Sequence, residues 1–123
     1  MKVAELMNRD VVTCHPSEKL SVIINKFELF HIAGMPVTEK GNLAGIVTQT
    51  DVLRAVKEGA IQEKIVSDVM TKEVAVISPT DSATYVAKLM VEKKINRIPV
   101  VENGKLVGIV TRGDLIRAAA VFE

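Results

Sequence analysis

A hydroxyl and a carboxylate three residues apart occur twice in this chain. They are Thr48-x-x-Asp51 within GIVTQTD and Thr111-x-x-Asp114 within GIVTRGD. Each pair follows an apolar run that reads as a strand and opens a pattern that reads as a helix. The hydroxyl therefore stands at a strand end and the carboxylate in the first helical turn. Free backbone N–H groups gather there and attract anions. A carboxylate in that place can accept hydrogen bonds from two ribose hydroxyls, and a threonine hydroxyl can bind a sugar or phosphate oxygen, which together would hold a nucleoside. The same spacing is close to a capping box, whose only task is to satisfy orphan N–H groups. Residue chemistry alone leaves both readings open.

The elements that must position these pairs also come in duplicate. Shifted by 63 positions, the second half falls on the first without a gap, and seventeen of sixty aligned pairs are identical. Met70 falls on Met7, Pro79 on Pro16, Pro99 on Pro36, Gly104 on Gly41 and Arg117 on Arg54. The whole unit of about 60 residues recurs, giving expected repeats over 1–60 and 61–123. Each begins with a leading helix, Val3–Met7 or Ile65–Met70. A short apolar strand follows, Val11–Thr13 or Val74–Ile77, and then Pro16 or Pro79. Ser17, and Thr80 or Asp81, are the expected caps of the next helix. Its apolar face is Leu20, Ile23, Ile24 and Phe27, or Ala83, Val86, Ala87 and Met90. Glycine-turned hairpins at Lys40-Gly41-Asn42 and Asn103-Gly104-Lys105 and closing helices near Thr50–Lys57 and Gly113–Ala120 complete each unit. The runs LAGIVT and LVGIVT lack clean alternation, which predicts strands covered on both faces.

Composition narrows the function classes. The 123 residues carry 16 Lys+Arg against 15 Asp+Glu, a net charge of +1, which gives no support for bulk nucleic-acid binding. Aromatics are 3% with no Trp, so a base-stacking platform for single strands is not expected. No apolar run is long enough to span a membrane, and MKVAELMNRD lacks a signal-peptide core. The single Cys14 cannot form an intramolecular disulfide, which suits a cytoplasmic location. Cys14-His15 suggests a metal corner or a nucleophile, but one Cys and two His offer neither a tetrahedral set nor a third orienting group. The cluster Lys93, Lys94 and Arg97 reads first as a solvated helix end.

Taken together, the order of motifs resembles the CBS domain, the module named after cystathionine β-synthase. The resemblance rests on Pro16 and Pro79, on IAGMPV and INRIPV, on the glycine-turned hairpins, and on the endings GIVTQTDVLRA and GIVTRGDLIRA. It runs from about Val3 to Ala120, and two units in tandem resemble a Bateman module. The resemblance implies an α/β (α+β) fold, with each repeat a small mixed sheet flanked by helices. The two would pack with pseudo-two-fold symmetry and leave ligand clefts between them. It implies a regulatory module for AMP, ADP, ATP or S-adenosylmethionine, with no catalytic cofactor. Carried over residue by residue, Asp51 and Asp114 would hold ribose, and Thr48 and Thr111 ribose or phosphate. The base would be wrapped by Cys14, Met35 and Pro36 in one site and by Ile77, Ile98 and Pro99 in the other.

The repeats differ where it matters. Arg97 in INRIPV stands where related modules reach phosphates, and a guanidinium makes charge-assisted bidentate contacts to such groups. Its counterpart is Gly34, so two unequal sites are expected. The alternative for Arg97 is a surface ion pair. Related modules also pair into flat discs, so a homodimer is expected. The leading reading is a stand-alone sensor whose state a regulated protein reads. No catalytic constellation appears, and 123 residues leave no room for the barrel of an inosine monophosphate dehydrogenase, which carries similar modules. The rival reading is an interaction module with no small-molecule ligand, in which the four Thr and Asp residues are helix caps.

Overall fold

The computed structural model describes residues Met1 to Phe122. In chain order the elements are α1 (Val3–Leu6), α2 (Leu20–Phe30), β1 (Gly34–Glu39), β2 (Asn42–Thr48) and α3 (Gln49–Lys57). A 3₁₀ turn, Ile61–Glu63, leads to α4 (Val66–Val69), α5 (Ala83–Lys93), β3 (Arg97–Glu102), β4 (Lys105–Thr111) and α6 (Arg112–Phe122). The fold is mixed α+β, and helices and hairpins fall where the sequence periodicity places them.

The chain forms two compact units. One is Val12–Val74; the other joins Met1–Val11 to the chain from Ala75 onward. These bodies do not share boundaries with the sequence repeats, because the leading segment of each repeat packs beside the hairpin of the other. Asn8 bridges Ile109, and Lys2 bridges Ser82, within one unit. Thr71 bridges Ile46, and Ile65 bridges Lys19, within the other.

In the Val12–Val74 unit, β1 and β2 pair antiparallel from Gly34↔Thr48 to Glu39↔Asn42, with a bulge at Val37/Thr38. The turn is Lys40-Gly41, both at positive φ, the backbone a two-residue hairpin loop needs to match strand twist. The second hairpin repeats this from Arg97↔Thr111 to Glu102↔Lys105 around Asn103-Gly104. No residue of β2 or β4 after the first is exposed. The first unit's core gathers Cys14, Leu20, Ile23, Phe27, Met35, Val37, Val47, Val52 and Val66. The second gathers Val3, Ile77, Val86, Met90, Ile98, Val100 and Val110.

Two local expectations are corrected. The short strands before Pro16 and Pro79 are single parallel bridges, Cys14↔Val37 and Ile77↔Val100. A proline two residues on has no N–H to continue a ladder. The expected helix caps also move. Ser82 caps α5 by accepting from the Tyr85 N–H at 3.1 Å, while the equivalent Lys19 before α2 gives no side-chain cap. Ser17 instead turns back on His15, its hydroxyl 2.7 Å from Nδ1, and Asp81 accepts the Ser78 N–H at 2.8 Å.

Candidate functional site

Strand β2 runs straight into α3, and β4 into α6, so each Thr-x-x-Asp pair sits at a strand–helix junction. Thr48 is the N-cap of α3, in extended conformation. Its backbone N–H donates to Asp51 Oδ2 at 2.8 Å, and the Asp51 N–H donates back to Thr48 Oγ1 at 3.4 Å. Thr111 and Asp114 repeat this at 2.8 and 3.3 Å. The capping-box reading is therefore physically fulfilled at both places. The same i to i+3 device recurs at His15–Glu18, Lys2–Glu5 and Ile65–Asp68, so capping does not by itself single out the two Thr-x-x-Asp pairs.

Burial and second partners set these two carboxylates apart. Asp51 is 5% exposed, the one charged residue buried among the described residues. Its Oδ1 lies 3.3 Å from Arg54 Nη1, and Asp114 Oδ1 lies 2.6 Å from Arg117 Nη2. Both arginine side chains are largely exposed. The T-x-x-D-x-x-R spacing is visible twice in the sequence, yet the arginines were not expected at the site. Their involvement follows only once α3 and α6 are known to start at Gln49 and Arg112, which brings i and i+3 onto one face.

The other expected site residues divide by unit. In the first, Gly34 pairs with Thr48, Met35 with Val47 and Pro36 with Ile46. Cys14 joins them through its N–H to the Pro36 carbonyl at 3.1 Å. In the second, Arg97 pairs with Thr111, Ile98 with Val110 and Pro99 with Ile109, and the Ile77 N–H reaches the Pro99 carbonyl at 3.1 Å. The Arg112 N–H donates to the Asn96 carbonyl at 2.8 Å, tying the start of α6 to the start of β3. Arg97, Thr111 and Asp114 are thus placed at one end of the second hairpin. The apolar candidates Cys14, Met35, Ile77 and Ile98 are core residues with at most 3% exposure.

Arg97 is half-buried, and among the described residues its guanidinium has no hydrogen-bond or ion-pair partner. Burial pushes its pKa below the ordinary value. The surface ion pair weighed for it does not form among those residues. Cys14 is pushed the other way, from 9.0 to about 11, by burial first and the Glu18 charge second, with Lys26 opposing. It is a neutral thiol at physiological pH, not a nucleophile. Among the described residues no group of three His, Cys, Asp or Glu side chains could hold a metal ion, and no helix is long and apolar enough to cross a membrane. A groove of about 620 Å³ lies between α5 and α6, lined by Met90, Val91, Ile95, Leu115 and Ile116 with Lys94 and Arg112. None of the expected site residues lines it.

A family model of the CBS domain matches residues 3–58 and again 66–121. The chain belongs to the CBS-domain family, as a tandem pair. It is 32% identical over 114 residues to the CBS domain-containing protein YhcV of Bacillus subtilis, spanning 92% of this chain and 81% of that one. Among solved structures it resembles CBSX2 in complex with AMP, at TM-score 0.90 and 29% identity over 98% of this chain and 97% of that one. It also resembles the CBS domain pair of protein MJ0100 in complex with 5′-methylthioadenosine and S-adenosyl-L-methionine, at TM-score 0.87 and 25% identity over 97% and 99% of the two chains. The chain spans only 41% and 62% of the lengths of two further relatives, from Methanocaldococcus jannaschii and Methanopyrus kandleri.

Proposed function

We propose that this chain is a non-catalytic regulatory module that binds adenosine-containing ligands: AMP, ADP, ATP or S-adenosylmethionine. The observation that carries the reading is Arg97. Arg97, half-buried and without a hydrogen-bond or ion-pair partner among the described residues, pairs across the hairpin with Thr111, whose own helix start holds Asp114. A desolvated cation of this kind is stabilised by an anion, and the adjoining hydroxyl and carboxylate suit a sugar. Relatives of this fold have been solved with AMP and with methylthioadenosine and S-adenosylmethionine, which supports the adenosyl class.

In this reading Asp114 and Asp51 accept ribose hydroxyls, and Thr111 and Thr48 bind ribose or phosphate. Arg97 gives its own unit a preference for phosphorylated ligands that Gly34 cannot give the other. Cys14, Met35 and Pro36 form the apolar backing for the base in one site, and Ile77, Ile98 and Pro99 in the other. Ligand state is read by a regulated protein that distinguishes the two conditions. Leu29 (72% exposed), Leu53 (67%), Val91 (78%) and Ile116 (64%) leave apolar helix surface for a homodimer, and the setting is cytoplasmic.

The test is a thermal-shift screen with adenosine, AMP, ADP, ATP, S-adenosylmethionine, GMP and IMP. A ligand at 100 times its Kd adds about 2.7 kcal/mol. Adenosyl compounds should shift the transition and the guanine and hypoxanthine nucleotides should not. Arg97→Ala should weaken AMP by at least about tenfold, the loss of one charge-assisted contact, and leave adenosine unchanged. The completed capping boxes favour one rival, a partner-docking module without a ligand. No shift from any adenosyl compound at millimolar concentration would overturn the sensor reading in favour of that rival, which a pull-down would then test.

A further inference from the structure

The carboxylates assigned above to ribose are already engaged on both oxygens. Oδ2 of each accepts the N–H of its threonine at 2.8 Å, a bond that fixes the helix start. Oδ1 is what remains for a diol, and an arginine one turn on covers it in both units. The guanidiniums belong to side chains 62% and 73% exposed; the Arg117 contact is itself exposed, so Arg117 can swing away into water, whereas the Arg54 contact is part-buried on Asp51.

The two covers are unequal. Arg117 closes to 2.6 Å, Arg54 only to 3.3 Å. The residue before each carboxylate also differs: Gly113 in the second repeat, Thr50 in the first. A Cβ at Gly113 would stand 3.2 Å from Arg117 Nη1 and 3.7 Å from Nη2. The bare glycine lets the guanidinium settle across the helix start. A Cβ at that place would oblige the guanidinium to give by a few tenths of an ångström.

We infer that Arg117, seated by Gly113, is a resident competitor for the Asp114 carboxylate, which a diol ligand must displace. The competition selects between ligands. A displaced guanidinium beside the helix start finds a new partner in a ligand phosphate, while a neutral nucleoside offers none. An exposed pair of this kind is worth up to about fivefold in an equilibrium constant. The second-half unit should therefore discriminate against adenosine relative to AMP by more than Arg97 alone provides. This inference rests on Asp114 holding the diol.

The experiment is a titration of the full chain with adenosine and then AMP, followed through the Thr48 and Thr111 backbone amides by NMR so that each site reports separately. Arg117→Met should raise adenosine affinity at the Thr111 site about two- to fivefold, leave the Thr48 site unchanged, and narrow the gap to AMP. Gly113→Thr, which keeps the arginine, should move affinity the same way. Asp114→Ala separates the two ideas. If adenosine still binds at Thr111 with undiminished affinity, or perturbs neither amide in the wild type, the site reading fails and the inference with it. If Asp114→Ala abolishes binding but Arg117→Met leaves adenosine affinity unchanged or lower, the competitor is refuted and the site stands.

Discussion

A Cβ on Gly45 would stand 2.5 Å from the carbonyl oxygen of Thr71 and 3.1 Å from the sulfur of Met70. The close approach is built by two backbone bonds, Ile46 N–H to the Thr71 carbonyl at 2.9 Å and Thr71 N–H to the Ile46 carbonyl at 2.8 Å. Backbone cannot yield as a side chain can. Gly45→Ala should therefore cost about 1–3 kcal/mol through overpacking. At Gly108 the nearest atom is the sulfur of Met7, at 2.7 Å, with the Asn8 carbonyl at 3.0 Å. A flexible thioether end moves more readily, so Gly108→Ala should cost less than Gly45→Ala. Urea midpoints of the two variants check the order.

The two site carboxylates should separate by stability as well. Asp51 is the more deeply buried, and its Oδ2 accepts from both the Thr48 N–H and the Thr48 hydroxyl. Asp51→Ala leaves those donors without their acceptor in a desolvated place and should cost about 2 kcal/mol. The Asp114 side chain is 17% exposed, so water can replace part of what Asp114→Ala removes, and the loss should be about 1 kcal/mol. Equal losses in chemical denaturation would contradict this account of burial.

Most of the element order was legible because the repeat read it twice. Helical spacing placed α2 and α5, and the glycine turns placed both hairpins within a residue or two. The cap of α5 was misread because Ser82, Asp81 and Thr80 all carry cap chemistry and only the backbone path decides among them. The short strands before the prolines reduce to single bridges because a propensity for β structure does not supply a continuous partner. Around the candidate site, Thr48, Asp51, Thr111 and Asp114 were legible from spacing. Arg54 and Arg117 were visible as a repeated arginine but carried no signal of contact. That Arg97 lacks a partner among the described residues is a property of its surroundings, which no local pattern records.

Helices α2 and α5 each end on a residue in the left-handed region that is not glycine. His31 has φ 53° and Lys94 φ 55°. An L-residue there costs about 1–2 kcal/mol, which glycine avoids. Glycine also gives back about 0.5–1 kcal/mol through the greater freedom of the unfolded chain. His31→Gly and Lys94→Gly should each raise stability by about 0.5–1 kcal/mol. Neither touches the Thr-x-x-Asp junctions, so their effects should add within error in the double variant, as measured by thermal or urea unfolding.

Cys14 makes stability fall at alkaline pH. Its thiol is 3% exposed and its pKa is raised from 9.0 to about 11. Between those values the unfolded chain has lost the thiol proton and the folded chain still holds it. Stability then decreases as pH rises, because deprotonation favours the unfolded state. The contribution is whole below about pH 9 and is lost on rising through about pH 11, about 2–3 kcal/mol in total at 1.36 kcal/mol per unit. Lysines titrate in the same range and complicate the absolute curve, so the comparison is with Cys14→Ala, which shares them. At pH 7.5 the wild type should be the more stable, since the alanine leaves a small void in the core of the Val12–Val74 unit. Between pH 9 and 11 that advantage should shrink and then reverse. A gap between the two urea midpoints that stays constant over this range would mean the thiolate is accommodated where it stands, with Lys26 (Nζ 2.8 Å from the Thr13 carbonyl) as the nearby cation able to compensate it.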